Sequence, residues 1–423
     1  MTPASSGRTD VLVVGAGPAG SSAAAWAARA GLDVVLADAQ TFPRDKTCGD
    51  GLTPRAVKEL RLLGLGDWLA GRAPNRGLRA NGFGQELYLP WPGGRLPDHG
   101  SAAPRTELDA VIRDVALADG AVGVEGARAI GAERDGDRVT GVVFATAAGP
   151  RTIACRRLVV ADGARSQLGR LLGRTWHRDT VYGVAARGYV ASGRADDPWI
   201  SSHLELRGTS GEILSGYGWV FPLSGGQVNL GVGTLATDRR PADVNLRALL
   251  GHYAGQRRDD WQLSGEVREP SSALLPMGGS VSGVAGRNWA LIGDAAGCVN
   301  PLNGEGIDYG LETGRLLAAV LDGDRHRALD LGTAWPATLR RHYGEAFSIA
   351  RRLAGLLTVP GLLPAAGPVG MRSVTLMTVA LRVMGNLVDP QDRDVVARAW
   401  RAAGRWSARF DARPPFPAAD LRS

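Results

Sequence analysis

The chain has 423 residues, 44% hydrophobic and 22% charged, which allows two or three subdomains around a substantial core and excludes a disordered protein. The net charge is +7, but only Lys46 and Lys58 are lysines; the other basic residues are arginines scattered through an Ala- and Gly-rich chain, so no nucleic-acid partner is expected. The three cysteines, Cys48, Cys155 and Cys298, have no CxxC spacing, which argues against a disulfide framework or a structural zinc site and fits a reducing, cytosolic environment.

In chain order, Asp10 to Val14 reads as a short buried strand, with no signal-peptide pattern before it. Gly15-Ala16-Gly17-Pro18-Ala19-Gly20 follows, then a small-residue helix over Ser21 to Ala30 and a second strand from Asp33 to Ala37, ending at Asp38. Gly15 permits the tight turn, Gly17 lets backbone approach a pyrophosphate, and Gly20 lets helix pack on sheet. The helix N-terminus offers N–H groups and a positive dipole end to phosphate, and Asp38 offers a carboxylate to ribose hydroxyls. This context predicts a dinucleotide site without separating FAD from NAD.

Cys48-Gly49-Asp50-Gly51 follows the second strand. Arg105 opens an apolar-periodic helix, and Leu158 to Ala161 is a buried strand leading into Asp162-Gly163-Ala164-Arg165. Strand-like runs fill Thr180 to Pro270, among them Gly216-Tyr217-Gly218-Trp219-Val220-Phe221-Pro222. On a strand, Tyr217, Trp219 and Phe221 face one side, as a core ladder or a pocket wall. Trp289 to Ile292 is a further strand, ending in Gly293-Asp294 and followed by Asn303-Gly304-Glu305-Gly306-Ile307, with a helix start near Gly304.

The C-terminal third reads as helical. Trp335 to Leu357 is amphipathic with Arg340, Arg341, Arg351 and Arg352, and Arg372 to Val388 is largely apolar. These helices are either a core or a greasy entrance from a membrane, the arginines then meeting anionic headgroups. Leu353 to Met371 carries no charge, but Pro360, Pro364 and Pro368 interrupt it, which disfavours a spanning helix.

Taken in order, these segments resemble the p-hydroxybenzoate-hydroxylase-like flavoproteins. That resemblance implies FAD, with Asp294 on the ribityl chain, backbone N–H groups of Gly304, Gly306 and Ile307 at the flavin N1–O2 edge, Arg105 capping the cofactor, and Asp162 and Arg165 near the dinucleotide. Cys48-Gly49-Asp50-Gly51 and Tyr217 to Pro222 further resemble the geranylgeranyl reductase family, and the whole run, including Pro43 to Val57, Asn300 to Gly314 and Arg413 to Phe416, looks especially like its actinobacterial menaquinone-reducing branch. There the cysteine loop lies beside the flavin, and the aromatic segment, here Tyr217, Trp219, Phe221 and Pro222, lines the isoprenoid pocket.

The implied fold class is α/β: a discontinuous Rossmann-type FAD-binding domain (1–75, 102–179 and 271–330), a β-rich substrate domain (76–101 and 180–270) and a C-terminal helical region (331–423). The implied activity is FAD-dependent saturation of an isoprenoid C=C bond, most specifically the β-isoprene unit of a menaquinone tail. Cys48 is the candidate for chemistry, as proton donor or as a residue shaping the flavin pocket, with Glu305 and Asp308 next. The expected partners are a prenyl lipid and an electron donor, either NAD(P)H or a small redox protein. The expected location is cytoplasmic and peripheral at the inner face of the cell membrane. The alternatives are an aromatic monooxygenase on the same scaffold, reduction of another prenyl lipid such as a geranylgeranyl group, and a flavin-binding lipid carrier or sensor.

Overall fold

The computed structural model describes residues 7–323 and 329–417. The outer ends of the first and last expected segments, and 324–328, lie outside it.

Two sheets organise the fold. The first has a parallel centre, in which Arg8–Val14 lies between Val34–Ala37 and Gly149–Val160, flanked by Val122–Val124 and Trp289–Leu291. Val11 to Val14 are all buried, as expected for strands covered on both faces. The helix Pro18–Arg29 packs against both Arg105–Ala118 and Ile307–Gly323 beside it. Gly15, Asp38, Ala161 and Gly293 all follow the carboxyl ends of these parallel strands, where open α/β sheets bind ligands. Arg128–Asp135, Arg138–Thr146 and Gly149–Val160 form an antiparallel excursion that strand patterning did not reveal.

The second sheet runs in the order Leu263–Pro276, Tyr182–Ser192, Gln227–Ala236, Gly216–Pro222, Ile200–His203, Gly77–Gly82, Gln85–Pro90. All its pairs are antiparallel except Ile200–His203 with Gly77–Gly82. One face packs under the helix Leu246–Arg257, with Val220, Leu230, Val232 and Tyr253 in a shared core. Gly218 is on that face, and a Cβ there would sit 2.3 Å from the Tyr253 ring. The two-residue period therefore turns Tyr217, Trp219 and Phe221 to the opposite face.

In the C-terminal region, Leu331–Leu339 continues through a π-helical turn, Arg340–Gly344, into Glu345–Leu357, and the chain then bends by 109° into Leu362–Gly370. Val374–Met384 and Val395–Arg409 complete it. No single helix among the described residues is long and apolar enough to cross a membrane. Three of the four expected headgroup arginines are otherwise engaged, while Arg341 is exposed. Arg351 is buried against Asp411, Arg340 donates to Phe416 O, and Arg352 donates to Phe410 O, so these side chains brace the C-terminal segment.

The phosphate loop shows why glycine is required. Gly15 has φ +104°, and a Cβ there would meet Ala161 O at 2.3 Å; a Cβ on Gly20 would lie 1.8 Å from Gly15 O. Neither backbone atom can give way, so Gly20→Ala should yield folded protein depleted of flavin, or no soluble protein. Gly251→Ala, in open space on the helix Leu246–Arg257, should retain full flavin absorbance and gain about 0.5–1 kcal/mol in urea denaturation.

Candidate active site

A cavity of about 650 Å³ lies between the two sheets and the C-terminal helices. Its polar end is lined by Gly17, Pro18 and Ala19 at the start of the first helix, by Ala161 and Gly163, and by Gly293, Asp294 and Gly304 to Ile307. Its middle is lined by Cys48 to Thr53, Arg105, Tyr217, Trp219 and Phe221, and its outer end by Leu357, Leu363, Met371, Met377 and Met384. Segments nearly 370 residues apart thus share one chamber.

The polar end fits a flavin dinucleotide. The helix Pro18–Arg29 begins at Gly17 with no side-chain cap, so its first N–H groups face the cavity, as a pyrophosphate requires. Asp38 accepts from Ala16 N at 2.7 Å and Gln40 N at 2.8 Å, which orients its carboxylate at the end of the second strand. Arg105 is buried in a two-point ion pair with Asp109, whose carboxylate also holds Arg44. Asp294 pairs with Lys46 at 2.9 Å.

Three placements depart from expectation. Asp162 is turned away, accepting from Ser166 Oγ and Leu168 N to cap a short helix, while Arg165 is exposed; Ala161 and Gly163 line the cavity instead. Gly304, at φ +77°, donates its N–H to Asn300 O, and Glu305 N donates to Asn303 Oδ1. The donors this turn can offer a ligand are therefore those of Gly306 and Ile307, where the helix Ile307–Gly323 starts. Pro222 lines a separate cavity of about 690 Å³, with Trp68, Arg72 and Asp197.

The loop Asp45 to Gly51 is fastened to the second sheet at several points. Arg187, fully buried, donates to both Asp45 oxygens and to Lys46 O. Asn229 donates to Cys48 O at 2.8 Å and to Asp50 Oδ2 at 2.9 Å, and accepts from Trp219 Nε1. Tyr189 Oη donates to Asp50 Oδ2 at 2.8 Å. Gly49 and Gly51 lie flat on Trp219 and Phe221, where a Cβ would come within 3.0–3.3 Å of the rings. Cys48 is left partly exposed to the cavity, its Sγ accepting from Asp50 N, and burial pushes its thiol up.

Asn229, Tyr189 and Arg187 were not singled out from the sequence. The available signal was a polar residue inside an apolar strand run, Arg187 in Ala185-Ala186-Arg187-Gly188-Tyr189 and Asn229 in Val228-Asn229-Leu230, since buried polar groups require partners.

The FAD binding domain family matches residues 8–203. The chain is 61% identical to the menaquinone reductase of Mycolicibacterium smegmatis, over 97% of this chain and 99% of that protein. It is 30% identical to digeranylgeranylglycerophospholipid reductase 1 of Methanopyrus kandleri, over 82% of this chain and 90% of that one. Among solved structures, a geranylgeranyl bacteriochlorophyll reductase-like protein from Thermoplasma acidophilum superposes with a TM-score of 0.75 at 19% identity, covering 94% and 99% of the two chains. That likeness bears on fold alone.

Asp50 provides a test of the loop anchor. It is fully buried in a left-handed conformation (φ +62°), Oδ1 has no partner among the described residues, and burial raises its carboxyl to about 6. The folded chain then holds this proton more tightly than the unfolded chain. The stabilisation is complete below about pH 4 and is lost as pH rises through 6, amounting to about 3 kcal/mol. In Asp50→Asn, urea midpoints measured at pH 5 and pH 8 should converge relative to wild type; an unchanged pH dependence would show that Asp50 is not the group responsible.

Proposed function

The chain belongs to the FAD-dependent geranylgeranyl reductase family, with the menaquinone reductases, and on that basis we propose that it saturates one isoprene double bond, the β unit, of a menaquinone tail. The observation that carries this reading is that one chamber is lined by the Gly17 to Ala19, Asp294 and Gly304 to Ile307 groups, by Cys48 and three aromatic rings, and by aliphatic side chains of the C-terminal helices.

Bound FAD supplies a hydride for transfer; the remaining work is done by the chain. Gly15 to Gly20 and the first helix would hold the pyrophosphate, Asp38 a ribose, Asp294 the ribityl chain, and Gly306 and Ile307 the N1–O2 edge, where the dipole of the helix Ile307–Gly323 favours developing negative charge. Tyr217, Trp219 and Phe221 form the wall that keeps the alkene in place and dry. Their mutual ring distances of 5.9 and 6.3 Å make a continuous aromatic surface. Binding energy comes from burying the prenyl chain, at about 25 cal/mol per Å² of apolar area.

The outer end suits delivery from a bilayer. Leu362–Gly370 has no buried residue, and Leu356, Val359, Val369, Val374 and Leu376 are exposed around it. Val374–Met384 buries only Leu381. These helices also line the chamber, so a lipid resting against them has a direct apolar path inward. Exposed Arg372, between the two helices, supplies a cation for anionic headgroups. We therefore place the protein at a membrane surface, with NAD(P)H or a small redox protein as electron donor.

Two measurements check these points. Anaerobic incubation of dithionite-reduced holoenzyme with menaquinone should add two hydrogen atoms to the tail, seen by mass spectrometry; an unchanged tail with an altered ring would favour a ring-modifying flavoenzyme. Wild-type protein should sediment with anionic liposomes at low salt and release at high salt. Val369→Asp combined with Val374→Asp should weaken that binding at least tenfold while sparing reduction of a detergent-dissolved quinone.

A further inference from the structure

The proton that accompanies the hydride needs a source. Of the acids that line the chamber, Asp50 is tied to Tyr189 and Asn229, Asp294 is paired with Lys46 and Tyr217 donates to Asn303 O, which leaves Cys48 and Glu305. Cys48 is a thiol whose ordinary value is already high, and burial raises it further. Glu305 is a carboxyl in the flavin turn. Its Oε1 accepts a hydrogen bond from Thr53 Oγ1, whereas Oε2 is buried with no partner among the described residues. It lines the same chamber as Cys48 and Tyr217, and its backbone is pinned by Asn303 Oδ1, so the side chain is held in place from both ends.

The charges around it favour the neutral acid. Burial raises Glu305 well above the usual carboxyl range, and Asp308, on the first turn of the helix that follows, raises it further. The hydrogen bonds from Thr53 and Asn303 oppose this, and so, less, does Arg55 of the helix Pro54–Leu62, whose guanidinium is directed elsewhere, to Asn386 O and Val388 O and towards Glu312. Tyr217 and Tyr309, the other titratable groups near it, are both held neutral by burial. Asp308 is itself buried, raised to about 6, and held by Asn386 Nδ2.

We propose that Glu305 is the catalytic acid that protonates the double bond, and that Asp308 acts through it as a positioning residue. The inference rests on the alkene-reductase reading above. The Glu305 O–H bond breaks and its proton forms a C–H bond with the π electrons of the alkene. The other carbon takes the hydride, both electrons of which come from the reduced flavin. Glu305 is left as a carboxylate, still hydrogen-bonded by Thr53, and is reprotonated from water. Held neutral, Glu305 has a proton to give and an Oε2 with no competing partner among the described residues, which matters because an isolated trisubstituted alkene is a poor electrophile.

The test uses dithionite-reduced holoenzyme, freed of excess dithionite, in anaerobic single turnover, following saturation of the tail by mass spectrometry after menaquinone is added. Glu305→Gln should retain FAD and reoxidise normally in air, yet react with menaquinone about 10²–10⁴-fold more slowly. In wild type the rate should fall as pH rises through the raised Glu305 value. Asp308→Asn should move that falling limb to lower pH, because the neighbouring negative charge is gone. Independently of turnover, infrared spectra at neutral pH should show a protonated carboxyl in wild type that is absent from Glu305→Gln. A Glu305→Gln variant reacting at close to the wild-type rate overturns the proposal, as does a falling limb that disappears in Cys48→Ala and persists in Glu305→Gln. If wild type itself never reacts with menaquinone, the alkene-reductase reading fails, and this proposal with it.

Discussion

The attachment of the Asp45 to Gly51 loop to the second sheet is the constraint on which the rest of the site depends. This loop leaves the flavin sheet after its second strand and would be a mobile connection if solvated. Instead, Asp50 accepts from Tyr189 and Asn229, Asp45 is gripped by Arg187, and Cys48 O is held by Asn229. Burying Asp50 and Arg187 is costly, and the cost is offset only because their partners come from neighbouring strands of a rigid sheet. The same contacts press Gly49 and Gly51 onto Trp219 and Phe221, so the loop and the aromatic strand are closely packed.

One consequence is a chamber graded in polarity. Hydrogen-bond donors and ionised groups gather at the carboxyl ends of the parallel strands, where unsatisfied helix N–H groups are available. Aromatic rings follow on the inward face of an antiparallel sheet, and aliphatic helices close the outer end.

The C-terminal helices are also tied mechanically to the flavin turn. Asn300 donates to Met384 O, Asn386 donates to Asp308, and Arg55 holds Asn386 O and Val388 O. A single short segment therefore joins the exposed apolar helices Leu362–Gly370 and Val374–Met384 to the Glu305 and Asp308 carboxyls, and burial of that pair depends on the segment staying docked. Close contact of Gly367 with the Phe83 ring anchors the other end of this cover on the second sheet.

The dinucleotide site was legible in the sequence because its determinants are local, whereas FAD followed only from the resemblance carried by later segments around Arg105, Asp162 and Asp294. A buried β-branched strand, a turn that only glycine can make and a helix start lie within about 30 residues, and backbone sterics act at that range. Likewise, the strand period placed Tyr217, Trp219 and Phe221 on one face without further information. What the sequence could not supply were contacts between residues far apart in the chain. Asp50 read as part of a flavin loop, and only its partners 139 and 179 residues away make it an anchor. Arg340, Arg351 and Arg352 read as a cationic face, and only the returning C-terminal segment turns them into braces. Glu305 stood beside the flavin turn in the sequence, but whether it is a solvated carboxylate or a buried acid depends on which groups surround it. Hydrogen-bond partnership and desolvation are properties of three-dimensional neighbourhood, so tertiary structure alone decided them.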